Sequence, residues 1–207
     1  TGAGMQLGAT HSQSFETWLS QVPGLKVISF SNPSDALGLL RSAIKDPNPT
    51  IIAEPAGLYG TKGDVSEDYF DIPIGLASVV KEGNDATFVS YGHGMPILLD
   101  TAEQLIKINI NAEVIDLRTL NPLDMPTINK SIEKTGRVVL LDTARKLGGV
   151  MPEIVSRIQE ESVDFLDGPI LRIGSEDAPW PYNRSLEEAS LPDVNSVIES
   201  FREGYKI

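Results

Sequence analysis

The chain has no cysteine, which excludes a disulfide framework and any thiolate-held metal. Histidine is scarce too: His11 and His93 are the only two in 207 residues, so any chemistry needing an imidazole falls to one of them. Basic residues are in deficit, 17 against 29 acidic ones, for a net charge of -12. Lys and Arg are scattered rather than clustered, so nucleic acid and anionic lipid surfaces are not expected partners. No apolar run approaches the length needed to cross a bilayer, and the expected setting is soluble and intracellular. Phosphate-binding fingerprints are missing as well. "TGAG" and "GHG" have neither the Walker spacing nor a complete dinucleotide spacing. No His/Asp/Glu grouping has persuasive metal-ligand spacing, and "GSEDAP" does not match a nucleophile elbow.

What is present is alternating α/β construction. With 41% hydrophobic residues, a chain of this length buries substantial cores and holds one large or two small domains. "LKVISF" (25–30) reads as a buried strand, followed by a helix in "NPSDALGLLRSAIKD" with Asn32 or Ser34 as cap. "PTIIAEP" (49–55) is the next strand, ended by proline. These make only half of a doubly wound sheet, whose other strands are expected from residues ahead of Thr1 or from another chain. Residues 57–71 are rich in Gly, acidic and turn-forming residues and read as a linker or surface loop. Four strand-like runs follow at 86–92, 112–117, 137–142 and 169–174, separated by helical patterns at 96–107, 125–134 and 150–160. A last amphipathic segment covers 193–203. The abrupt opening "TGAGMQLGAT" looks like a loop inside a domain, so the chain is expected to be a fragment.

Three places carry candidate chemistry. His11, in "GATHSQSFETW", precedes a helix and can donate or accept a proton near neutral pH, although a capping role fits the spacing equally. His93, in "YGHGMP", follows a strand end in a Gly-flanked turn where α/β proteins place binding groups, with a plain surface loop as the simpler alternative. In "SAIKDPNP" a helix ends before Asp46 and Asn48, aiming carbonyls and a carboxylate where a cation or merely a helix cap would fit.

Read in series, "HSQ", "PGLKV", "DIPIGLASVV", "EVIDLRTL", "KTGR", "FLDGPILRI" and "PWPYNRSLEEASLP" resemble the beta subunit of the thiamine diphosphate-dependent first component of 2-oxo acid dehydrogenase complexes. The resemblance covers essentially the whole chain and is nearest to pyruvate-type members. It implies the C-terminal half of a pyrimidine-binding domain plus linker (1–70), then a transketolase C-terminal-type α/β domain with a mostly parallel sheet (71–207). It further implies that the glutamate activating the cofactor's aminopyrimidine lies on residues ahead of this chain. The alpha subunit is implied to hold the diphosphate and its magnesium ion in a heterotetramer of two alpha and two beta subunits. His11 matches the family's HSQ histidine, implicated in handling the intermediate and in lipoyl transfer. Ala43, Ile44, Asp46 and Asn48 match a structural potassium site. Asp167 and Ile207 match positions that meet the dihydrolipoyl acyltransferase core. Such proteins reside in the prokaryotic cytoplasm, the mitochondrial matrix or the plastid stroma. Two departures stand out: Gln21, where many members have histidine, and "LLDTARKLGGVMPEI" in place of a glutamate-rich, aromatic stretch. Acetoin dehydrogenase or another two-subunit thiamine-dependent acyloin enzyme is the alternative activity. A non-catalytic assembly module is the alternative for the fragment alone.

Overall fold

The computed structural model describes residues 1–207. After a glycine-rich lead come two short helices, α1 (Gly8–His11) and α2 (Glu16–Ser20), then β1 (Lys26–Ile28), α3 (Pro33–Lys45) and β2 (Thr50–Ile52). Asn32 is the cap of α3: its side chain accepts from the Asp35 amide, and Pro33 occupies a first-turn position where a missing N–H is harmless. A single 3-10 turn (Ala56–Leu58) starts the linker. The remainder runs β3 (Ser78–Lys81), β4 (Ala86–Ser90), α4 (Gly94–Ile106), β5 (Ala112–Asp116), β6 (Thr119–Asn121), α5 (Met125–Thr135), β7 (Val138–Arg145), α6 (Val150–Glu161), β8 (Ile170–Ser175), α7 (Arg184–Ser190) and α8 (Val194–Tyr205). No helix is long and apolar enough to cross a membrane.

Five strands form one sheet in the order β3-β5-β4-β7-β8, parallel except for β3 against β5. Both faces are covered, as a parallel sheet requires. On one face Phe88 and Val114 pack with Leu98 of α4 and Phe201 of α8. On the other, Val89 and Leu140 pack with Ile128 of α5 and Ile154 of α6, and Val27 of β1 joins the same cluster.

The first sheet has the order β2-β1-β6. Its free edge is filled from within this chain: β6 pairs antiparallel with β1, Val27 opposite Asn121 and Ile28 opposite Thr119. This differs from the sequence expectation, which looked outside the chain for every further strand. The cause is local. Arg118 sits at φ 57, turning the chain out of β5 toward β1. Its guanidinium forks onto Asp35 of α3, Nε at 2.8 Å and an Nη at 2.6 Å. The linker is also more than a surface loop. Its end is strapped to α3 by Ile72 N–H to Gly38 O (3.2 Å), Ser42 Oγ to Ile72 O (2.6 Å), and Arg41 over the Tyr69 ring (4.6 Å). A Cβ on Gly38 would stand 2.6 Å from Ile72 Cγ1, so the strap needs glycine there.

Candidate functional site

His11 ends α1 with its side chain exposed. Nδ1 lies 2.9 Å from Thr10 Oγ1, which leaves Nε2 as the nitrogen open to solvent. Gln13 folds back, its Nε2 donating to Ala9 O at 2.7 Å, so the HSQ stretch is held as one compact turn. The lead-in is shaped by backbone conformations that few side chains favour: Gly4 at φ 108, Gln6 at φ 53 and Gly8 at φ 72. Tyr182 packs beside Gly8, where an added Cβ would meet its ring at 3.6 Å.

A cleft of about 660 Å³ opens next to this turn. Gln13, Phe15 and Trp18 line one wall, and Arg145, Asp177 and Trp180 line the other. Phe15 and Trp18 meet edge to face, with ring centroids 5.4 Å apart. Both departures from the resembled family lie on it: Gln21 and the loop that includes Leu147 and Gly148.

An acidic cluster joins α2 to the ends of β4 and β7. Tyr91 donates its hydroxyl to the Asp142 carboxylate, 3.0 Å from each oxygen, and the Ala144 amide donates to Oδ1 at 2.9 Å. Burial pushes Asp142 up to about 6, and the neighbouring Glu16 charge adds to the shift. Glu16 is itself raised by burial, although Thr1 Oγ1 donates to it at 2.9 Å. The Tyr91 phenol is driven well above its usual range by burial and by the Asp142 charge. A second buried acid, Asp116, is pushed up to about 6 by burial even with Ser31 as hydrogen-bond donor. None of these groups carries a sequence signal, because the partners are separated along the chain.

The other residues singled out by sequence fall in separate places. Ala43 and Ile44 lie in the last turn of α3, where carbonyls lack intrahelical donors. Asp46 follows as the cap, with Oδ2 on the Lys26 ammonium and Oδ1 accepting from the Asn48 backbone and side-chain amides at 2.9 and 3.0 Å. Asp167 and Ile207 are both exposed. Gly168, beside Asp167, packs on the Tyr205 ring, and the Tyr205 hydroxyl bridges the Val138 amide and the Pro169 carbonyl at 2.7 Å each. His93 is not a surface-loop residue. It is the half-buried N-cap of α4, packed against the Gly4 and Gly57 backbones, and burial lowers its pKa.

Comparison with known proteins agrees with this architecture. The transketolase pyrimidine-binding domain model matches residues 1–62, and the transketolase C-terminal domain model matches residues 75–197. The beta subunit of the pyruvate dehydrogenase E1 component from Rhizobium meliloti is 42% identical over 98% of this chain and 44% of its own length. The mitochondrial beta-1 subunit from Arabidopsis thaliana is 40% identical over 96% of this chain and 56% of its own. This chain spans between 44% and 62% of the length of such curated relatives. Among solved structures, a split-gene transketolase described as an inactive beta4 tetramer superposes with a TM-score of 0.80 at 22% identity, over 96% of this chain and 63% of that one. A transketolase variant from Pichia stipitis gives 0.66 at 12% identity, over 96% and 28%. A pyrimidine-binding segment joined to a doubly covered C-terminal sheet, with relatives near 40% identity along its whole length, makes this chain a member of the thiamine diphosphate-dependent transketolase-like family to which pyruvate dehydrogenase E1 beta subunits belong.

Proposed function

We propose that this chain is part of the beta subunit of a pyruvate-type 2-oxo acid dehydrogenase, which decarboxylates a 2-oxo acid and passes the acyl group to a lipoyl group. The observation that carries the reading is His11: in a chain about 40% identical to E1 beta subunits, it stands exposed with Nε2 free, beside an aromatic-walled cleft. Thiamine diphosphate, when bound, supplies the electron sink for decarboxylation. As the acyl carbon bonds to one dithiolane sulfur and the S–S bond breaks, His11 Nε2 would deliver a proton to the other sulfur, which takes the electron pair, while the Thr10 hydroxyl fixes the ring through Nδ1. Magnesium, with the cofactor's diphosphate, would be held by the alpha subunit. A structural potassium ion at Ala43, Ile44, Asp46 and Asn48 would take backbone carbonyls and share Asp46 with the Lys26 ammonium. Asp167 and Ile207 would face the dihydrolipoyl acyltransferase core, their acidic groups complementing basic residues. The domains divide at 1–70 and 71–207, and this chain without its partner is inactive.

The test is reconstitution of the full-length chain with its alpha partner, followed by assay of thiamine diphosphate-dependent turnover of pyruvate, branched-chain oxo acids and acetoin. His11→Ala should lower transfer to lipoyl acceptors by roughly 100-fold or more while leaving cofactor affinity nearly unchanged. Unchanged complex activity in that variant would overturn the assignment.

A further inference from the structure

The segment leading to His11 is fastened by a residue far along the chain. Glu187 of α7 is 1% exposed, and its Oε2 accepts the Gln6 backbone N–H at 3.0 Å. Gln6 is the non-glycine residue of this lead-in held at positive φ, five positions ahead of His11. A left-handed conformation costs such a residue about 1 kcal/mol or more unless its surroundings impose it. The second carboxylate oxygen, Oε1, is buried and has no hydrogen-bond partner. A half-satisfied buried carboxylate is expensive, so its retention points to a task beyond packing. Tyr182, just ahead of α7, packs beside Gly8, so the same segment braces the lead-in at two points. His93 packs its ring against Gly4 and Gly57, and burial lowers its pKa while the Glu187 charge opposes that shift.

We propose that Glu187 is a positioning residue that clamps the left-handed Gln6 turn and thereby sets the placement of the His11 imidazole. The proposal rests on the assignment of His11 above. The hydrogen bond fixes the backbone at Gln6. The short path through Gly8 and α1 carries that constraint to the ring. The His93 imidazole, lying against Gly4 behind the turn, registers the charge of the clamp.

The experiment uses the full-length chain assembled with its alpha partner and compares Glu187→Ala with Glu187→Gln. Gln keeps an acceptor oxygen and removes the charge; Ala removes both. In Glu187→Ala, amide hydrogen exchange over residues 6–12 should accelerate by roughly tenfold or more, while β4 and β7 keep their protection. Lipoyl transfer should fall in parallel, and Glu187→Gln should restore both to within about threefold of the wild type. In Glu187→Gln the His93 imidazole, followed by NMR, should titrate lower than in the wild type, because a favourable negative charge is gone. Exchange over residues 6–12 within twofold of wild type in Glu187→Ala overturns the clamp, as does acceleration spread evenly through the sheets. Should Glu187→Ala not fold, a Gln6 amide in the wild type that exchanges as fast as an unbonded loop amide overturns it. The His11 assignment fails separately: unchanged lipoyl transfer in His11→Ala alongside accelerated exchange in Glu187→Ala leaves the clamp standing and removes its catalytic purpose.

Discussion

The two sheets share an alternation of strands and helices but hold together differently. In the five-stranded sheet β4 and β5 are buried at every residue. In the three-stranded sheet β2 has no fully buried residue, and the segments beside it leave large apolar side chains in the open, Trp18 at 67% exposure and Phe15 at 42%. The five-stranded sheet is covered on both faces, with Val27 of β1 joining one of its cores, whereas the earlier region leaves Phe15 and Trp18 on a cleft. An apolar surface of this kind marks a site of contact.

That contrast can be broken or sharpened by substitution. Phe88 is fully buried, edge to face with Phe201 at 5.5 Å, so Phe88→Ala should lower the unfolding free energy by about 3–5 kcal/mol in urea denaturation. Arg118→Ala comes next. It strands the Asp35 carboxylate, 3% exposed, at the seam between the regions, for a loss of about 3 kcal/mol. A double-mutant cycle with Asp35→Asn should show strong coupling, and its absence would mean that the seam does not depend on this pair.

Asp142→Asn tests the buried acid beneath the cleft. Its carboxyl is raised from 3.8 to about 6 by burial, so the folded chain holds this proton to higher pH than the unfolded chain does. Its stabilising contribution is therefore full below about pH 4 and is lost as pH rises through about 6, a change on the order of 3 kcal/mol. Comparing urea unfolding at acidic and neutral pH, the fall in stability on going to neutral should be smaller in Asp142→Asn by that amount. Trp18→Ala should cost the isolated chain only about 0.5 kcal/mol or less. Under the proposed function, its effect should appear instead in titration against the proposed alpha partner, weakened tenfold or more. A loss of stability comparable to that of Phe88→Ala would place Trp18 in the core and erase the contrast.

Sequence patterns located what depends on local chemistry. Asn32 was one of two cap candidates for α3, with Ser34, and the apolar runs of β4, β5, β7 and β8 were read within a few residues of their bounds. They missed β3, β6 and α7. β3 is an edge strand whose Val79 and Val80 are both partly open, so no alternation singles it out. β6 has three residues and is a strand only because β1 lies beside it. His11 was singled out only through its place in a series of motifs, and its chemical role rests on the proposed function. The Tyr91–Asp142 bond, the Arg118–Asp35 fork and the Glu187–Gln6 bond join residues 51, 83 and 181 positions apart, and nothing in local spacing announces them.

The exchange of β6 between regions bears on how the chain can be divided. A cut in the linker between the two matched domain models would leave β6 on the later piece with its β1-facing backbone edge bare, and β1 without a neighbour on that side. Bare edges of this kind recruit other strands. Separately expressed halves should therefore stick to themselves or to each other, and subcloning this protein calls for keeping β1 and β6 in one polypeptide.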